Sequence, residues 1–150
     1  MTMNYYEEAV GVVLAAKAAN LPVTIYFTVE TDGKLAGGMT LVDAIKKVDE
    51  ATDNYARDFG INCCHPTHCE SALAGLDETT LSRVTQFRPN ASKKSHAELD
   101  EAEELDYGNI EELAGEVASQ KERYKLEYIG GCCGTDNRHL EAMAKHLLKK

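Results

Sequence analysis

Apolar and polar positions alternate along this chain in a pattern that predicts strands followed by helices. Short runs rich in β-branched and aromatic residues are typical of buried strands, and they lie at 23–29, 59–64, 83–88 and 126–129. Apolar residues at helical spacing predict helices at 4–20, 41–57, 69–76, 110–123 and 136–148. The polar segment 91–108 is long for a connection and predicts either a lid or a solvated loop.

The predicted order is one helix followed by four strand–helix units, which favours an α/β fold with a parallel sheet covered by helices. In such sheets the carboxyl ends of all strands lie at the same edge, and the loops at that edge carry function. The segments CCHPTHC (63–69), RPNAS (88–92) and GGCCGT (130–135) each follow a predicted strand. We therefore expect these segments to meet at one edge of the sheet.

Composition mainly excludes classes of function. The 150 residues suffice for one domain with a core. A net charge of −9, from 25 acidic and 16 basic residues, argues against a nucleic-acid partner. No apolar run approaches the roughly 18–20 residues that a membrane span requires, and the first residues lack the pattern of a secretory signal. The sequence therefore predicts no membrane association and a cytoplasmic location.

The cysteines suggest metal chemistry. Five cysteines is an odd number, and with no export signal this argues against structural disulfides and favours metal binding or thiol chemistry. Thiolates suit zinc, and three protein ligands with one open position are typical of a catalytic zinc site. Three thiolate ligands could come from Cys63 and the adjacent pair Cys132 and Cys133. The glycines around that pair let both sulfurs face one ion, whereas neighbours in a regular strand point to opposite faces.

Two other interpretations of the cysteines remain open at this point, and a third, redox chemistry at the adjacent pair, is disfavoured. A compact structural zinc site could form locally from residues of the first motif, although their spacing matches no common zinc finger; its candidate ligands are Cys63, Cys64, His65, His68 and Cys69. The cysteines could instead be buried and act as small apolar side chains. A disulfide between the adjacent pair at 132–133 would be strained, and the chain contains no Cys-x-x-Cys motif.

Four segments of the chain resemble segments of one known protein family. GINCCHPTH (60–68), followed by YIGGCCGTDNRHLEAMAKHL (128–147), closely resembles the homocysteine S-methyltransferase family. FTVETDGKLAGGMTLVDAI (27–45) and RPNASKKSHAELDEA (88–102) also resemble segments of that family. The resemblance implies a (β/α)8 TIM barrel, a fold of about 250 residues. Residues 1–150 would then be a partial domain, the C-terminal half with strands five to eight.

The resemblance also implies a reaction and a site. The family transfers a methyl group to the thiol of homocysteine and gives methionine, with zinc (Zn²⁺) as cofactor and a small methyl donor that the sequence does not identify. Carried over by motif, the zinc ligands, which act in catalysis through the metal, are Cys63, Cys132 and Cys133. Asn62 and Asn90 are candidates for orienting the substrate or the ligands, and Glu30 is a candidate lining residue. No family role carries over to the remaining cysteines and histidines of the first motif.

A half-barrel raises the question of partners. The first residues, MTMNYYEEAV, resemble the helix that follows the fourth strand of the family barrel. The strands predicted at 23–29 and 126–129 would each lack a neighbour, and unpaired edges favour association. We expect an N-terminal half-barrel or a second copy of the chain as partner. The alternative is a zinc-binding half-barrel without catalytic activity.

Overall fold

Five strands form one parallel sheet. The computed structural model describes residues 2–148. The strands are β1 (Thr2–Met3), β2 (Thr24–Phe27), β3 (Asp58–Asn62), β4 (Val84–Arg88) and β5 (Tyr128–Ile129). Each pairs in parallel with the next along the chain, so that the sheet order is β1-β2-β3-β4-β5. This order, with helices in the connections, is that of a partial (β/α) barrel, and the predicted α/β fold is confirmed.

Helices occupy every connection between strands and follow the last one. They are α1 (Tyr6–Ala18), α2 (Leu41–Thr52), α3 (Pro66–Ala74), α4 (Glu78–Leu81), α5 (His96–Asp100), α6 (Ile110–Tyr124) and α7 (Asn137–Leu148). Helix α1 packs against α2, and α6 packs against α7. Within residues 2–148, no helix is both long enough and apolar enough to cross a membrane.

Helix α2 shows why these segments are helical. Its apolar residues recur on one face and are buried against the core; they are Leu41, Ala44, Ile45 and Val48. The hydroxyl of Thr40 caps the first turn by accepting a hydrogen bond from the Asp43 N–H at 3.2 Å. The helix ends before the predicted residue 57, because Asp53 and Asn54 adopt left-handed backbone angles, with φ of 56° and 55°.

The cap of α2 gives a test of local stability. We expect Thr40→Ala to lower the free energy of unfolding by about 1 kcal/mol, since it leaves the Asp43 N–H without its side-chain acceptor. Thr31→Ala, in an exposed turn, is the matched control and should change that free energy by less than about 0.5 kcal/mol. Urea denaturation of both variants measures the difference. Equal stability of the two variants would contradict the assigned cap.

Aromatic side chains fill the space between the sheet and its helices. The rings of Phe27 and Phe59 stack with their centroids 6.3 Å apart. Both side chains and that of Phe87 are at most 1% exposed. Phe27 and Phe87 lie near the carboxyl ends of β2 and β4, and Phe59 lies near the start of β3, so the aromatic core extends along the strands that lead to the functional edge.

The N-terminal end differs from the prediction. Thr2 and Met3 form a strand and pair with Tyr26 and Phe27 of β2. The strand predicted at 23–29 therefore has neighbours on both sides, and the expectation that it lies at an edge was wrong. A strand of two residues is too short to show alternation, which is why the pattern missed it. The strand predicted at 126–129 does lie at an edge, as the shorter β5.

Short helices also occur where the sequence predicted loop. Helix α5 lies inside the segment 91–108 and has no buried residue, so it leaves no apolar periodicity to detect. It begins with a capping box, in which Ser95 and Glu98 each accept a hydrogen bond from the other's backbone N–H. Helix α3 begins at Pro66, three residues before the predicted start, because proline is well suited to the first helical turn.

Candidate metal centre

The three cysteines that the resemblance implied as ligands lie together. Cys63 directly follows β3, whereas Cys132 and Cys133 follow β5, and all three Sγ atoms lie within 4.8 Å of one another. The Cα atoms of Cys63 and Cys132 are 5.5 Å apart although 69 positions separate them in the sequence. Among the described residues 2–148, this is the single group of three or more His, Cys, Asp or Glu side chains placed to hold a metal ion.

Two of these sulfurs are in direct contact. The Sγ atoms of Cys63 and Cys132 are paired as a disulfide, whereas the sequence argued against structural disulfides. The cause is the meeting of the two strand ends, which sets a Cα separation typical of disulfides. Metal binding requires both side chains as thiolates, so it needs the reduced protein. Cys133 is a free thiol and is exposed.

Backbone geometry at the end of β3 sets the direction of the first sulfur. Cys63 has a left-handed backbone with φ of 57°, which breaks the alternation of the strand. Its N–H donates to the Arg88 carbonyl oxygen at 3.1 Å and holds it beside β4. The next residue, Cys64, turns into the core and is 1% exposed. Neighbouring cysteines therefore serve different purposes, one at the cluster and one in the core.

The second motif is held against the loop after β4. The Cys132 N–H donates to the Pro89 carbonyl oxygen at 2.9 Å, and the Ala91 N–H donates to the Cys133 carbonyl oxygen at 3.0 Å. Gly134 follows with a φ of 76°, a conformation that favours glycine. These bonds fix the positions of the adjacent cysteines relative to residues 89–91.

The local zinc site considered above is not assembled. Cys64 and Cys69 are both buried, and a hydrogen bond with Cys64, together with burial, raises the pKa of the Cys69 thiol. His65 accepts a hydrogen bond from the Thr67 N–H at 3.3 Å and so caps α3. Burial lowers the pKa of His65 to about 4. These side chains stabilise the start of α3 and the core; they do not converge with His68 on one point.

The two asparagines predicted at the site lie beside Cys63. The Asn62 amide nitrogen donates to the Thr2 hydroxyl at 2.6 Å and lies 3.8 Å from the Cys63 Sγ. The Asn90 amide nitrogen donates to the Cys63 carbonyl oxygen at 3.0 Å. Both Oδ1 atoms are buried and have no hydrogen-bond partner among the described residues. Buried acceptors are normally satisfied, so these two oxygens are unused hydrogen-bond acceptors beside Cys63.

Glu30 is bound to a histidine that the sequence did not single out. Its Oε2 lies 3.0 Å from the His96 Nδ1, and the His96 Nε2 lies 2.6 Å from the Cys63 carbonyl oxygen. Since a carboxylate and a carbonyl both accept, this geometry favours the charged imidazole, which donates from both nitrogens. Burial opposes that charge, but the hydrogen bonds to Cys63 and Glu30 outweigh it and raise the pKa of His96.

A cavity of about 320 Å³ adjoins the sulfurs. Cys63, Cys133, Asn90 and His96 line one side, and the acidic segment 100–106 lines the other. Two contacts fix the end of that segment: the Ser92 hydroxyl donates to Asp106 at 2.7 Å, and the His139 Nε2 donates to the Tyr107 carbonyl oxygen at 2.9 Å.

The sequence analysis did not identify His139 and His96 as site residues. Each contacts a backbone carbonyl oxygen, and such a contact produces no sequence motif. Both histidines hold backbone segments at this edge of the sheet, His139 the end of the acidic segment and His96 the loop after β3.

The comparison with protein families agrees with this geometry. A family model described as homocysteine S-methyltransferase matches residues 1–147, nearly the whole chain and both cysteine motifs. A comparison with curated proteins gives no significant match. Members of the family have TIM-barrel folds, in accord with the parallel sheet and its connecting helices. The chain therefore belongs to the homocysteine S-methyltransferase family.

Proposed function

We propose that this chain takes part in zinc-dependent transfer of a methyl group from a small donor to the thiol of homocysteine, which gives methionine. The observation that supports this most directly is the cluster of three cysteines within a chain of this family. We place the reaction in the cytoplasm, because thiolates stay reduced there.

The donor set fits zinc. Three thiolates are soft ligands of the kind that bind zinc, and Cys63, Cys132 and Cys133 would hold the ion. The exposure of Cys133 leaves that side of the cluster open to a ligand from solution. When bound, zinc supplies a Lewis acid that lowers the pKa of a coordinating thiol, which is otherwise about 8.5 and mostly protonated at neutral pH.

The surrounding residues would bind and orient the substrate. The free Oδ1 atoms of Asn62 and Asn90 can accept hydrogen bonds from an ammonium group. Asn90 and His96 both donate to the Cys63 carbonyl oxygen and so hold the loop that carries the first sulfur. The wall at 100–106 covers one side of the cavity and limits its exposure to water.

A second candidate is a zinc-binding half-barrel that needs a partner for activity. In the described sheet, β1 and β5 lie at the two edges, and parallel edges expose backbone groups that can pair with further strands. An N-terminal half-barrel or a second copy of the chain would satisfy them. This candidate binds zinc but forms no methionine without its partner.

Methionine formation tests the proposed function. Reduced, zinc-loaded chain is incubated with L-homocysteine and either S-methylmethionine or betaine, alone and with the N-terminal half of a family member. We expect methionine to form, and we expect Cys132→Ser to lower the rate by more than about 100-fold. Loss of a group that only contacts a metal ligand typically lowers metal affinity or activity by about 10- to 100-fold, and loss of the ligand itself should have a larger effect. Cys64→Ala, outside the cluster, is the control and should keep the rate. Equal rates for Cys132→Ser and wild type would contradict the proposal.

A further inference from the structure

Arg88 differs from the other arginines of the chain. The chain has five arginines, and four of them form salt bridges: Arg57 with Asp58, Arg83 with Asp49, Arg123 with Glu70 and Arg138 with Asp136. Among residues 2–148, the guanidinium of Arg88 has neither a salt bridge nor a hydrogen bond to the protein. The group is always charged and carries five N–H donors, so all of them are available to a ligand.

The Arg88 side chain is nevertheless held in place. Its Cζ lies 4.9 Å from the centroid of the Tyr26 ring, at the distance of a cation–π contact. A Cβ at position 130 would lie 3.3 Å from the Arg88 Cγ, so the side chain lies directly over Gly130. Tyr26 and Gly130 thus fix the guanidinium without using its donors.

This guanidinium lies on the same side of the sheet as Asn62. Arg88 is opposite Asn62 in the pairing of β3 with β4, and paired residues of neighbouring strands point to the same face. Asn62 is the residue whose amide lies 3.8 Å from the Cys63 Sγ. Gly130, beneath the arginine, comes two positions before Cys132. Arg88 therefore lies on this face at the level of the strand ends that Cys63 and Cys132 follow.

We propose that Arg88 binds the carboxylate of an amino-acid ligand at this centre, an inference that rests on the proposed function. A planar guanidinium binds carboxylates through two parallel hydrogen bonds. The free acceptors on Asn62 and Asn90 complement it, because they suit the ammonium group of the same class of ligand. Both the thiol acceptor and the methyl donor can carry a carboxylate, and the experiment below distinguishes them.

The competing explanation is that Arg88 only covers the Tyr26 ring. The two explanations differ in one measurable respect: a packing role does not depend on whether the ligand has a carboxylate. A pair of ligands that differ in that group alone separates them.

Isothermal titration calorimetry with two ligand pairs makes the test, on reduced, zinc-loaded chain. The thiol pair is L-homocysteine and 3-mercaptopropan-1-amine; the donor pair is S-methylmethionine and (3-aminopropyl)dimethylsulfonium. We expect wild type to bind the carboxylate-bearing member of one pair about 10- to 100-fold more tightly, as for a charge-assisted hydrogen bond. Arg88→Met should abolish that preference and leave the dissociation constant of the carboxylate-free member within about 2-fold.

Two further variants complete the design. Arg88→Lys keeps the charge without the planar fork and should retain part of the preference. Arg123→Met, which removes an arginine paired with Glu70 on the outer helices, should leave it unchanged.

The pair that loses its preference identifies the source of the carboxylate. Equal affinities within both pairs for wild type, an unchanged preference in Arg88→Met, or no binding of any of the four compounds would each overturn the proposal. Failure of the proposed function has a different signature, since it appears as absence of methionine formation while the carboxylate preference in binding remains.

Discussion

Cys132→Ser is expected to remove zinc from the protein. Wild-type chain, purified under reducing conditions and dialysed, should contain about one zinc ion, because its three sulfurs lie within 4.8 Å of one another. Serine offers no thiolate, and the affinity should fall by more than about 100-fold, beyond the effect of losing an outer-shell partner. Cys63→Ser should have the same effect from the other motif. Elemental analysis of the dialysed proteins measures both.

Cys64→Ala is the matched control for the zinc experiment. Cys64 is adjacent to Cys63 in sequence but is 1% exposed and lies in the core. Its replacement should cost about 1 kcal/mol of stability and leave the zinc content unchanged. Zinc retained after Cys132→Ser, or zinc lost after Cys64→Ala, would show that the ligands are not the ones assigned.

Gly134→Ala is expected to destabilise the protein and to lower its zinc affinity. Gly134 has a φ of 76°, which costs an L-residue about 1–2 kcal/mol. A Cβ there would also come within 2.5 Å of the Asp106 backbone oxygen and 3.0 Å of the Ala91 Cβ. Relief of that overlap should lower the free energy of unfolding by a further amount of about 1–3 kcal/mol. It should also move the turn that carries Cys133.

Gly38→Ala isolates the effect of the overlap. Gly38 has nearly the same φ, 77°, but a Cβ there would have no neighbour within 4 Å. Gly38→Ala should therefore lower the free energy of unfolding only by the conformational cost of a positive φ, about 1–2 kcal/mol. The variant should keep its zinc. Urea denaturation of the reduced, metal-free variants gives the stabilities, and competition with a chromogenic chelator gives the zinc affinities. Equal losses in both glycine variants would mean that the contact with residue 106 does not shape the site.

Helices with a buried apolar face could be predicted well from the sequence. Helix α2 is an example, because its core residues recur at helical spacing and Thr40 caps its start. Two short elements, β1 and α5, could not be predicted. Strand β1 has only two residues, and α5 buries none of its side chains, so neither produces a periodic pattern.

The approach of the two cysteine motifs could also be anticipated, since parallel strands end at one edge of a sheet. Which side chains form hydrogen bonds with each other could not be anticipated from the sequence. That Glu30 is paired with His96, and that Arg88 has no partner within residues 2–148, depends on distances across the sheet that no sequence spacing encodes. The same holds for the free oxygens of Asn62 and Asn90.

The cysteine cluster joins the ends of two strands that are not neighbours. An ion held by Cys63 and Cys132 would tie the end of β3 to the end of β5 and enclose β4 in a closed loop of 69 positions. Peripheral units of a protein usually open on their own at low free energy, and β5 with α7 is such a unit at the edge of this sheet. With the ion bound, opening of that unit requires release of the ion. Metal occupancy would thus decide whether the last βα unit exchanges its amide hydrogens independently or together with the rest of the sheet.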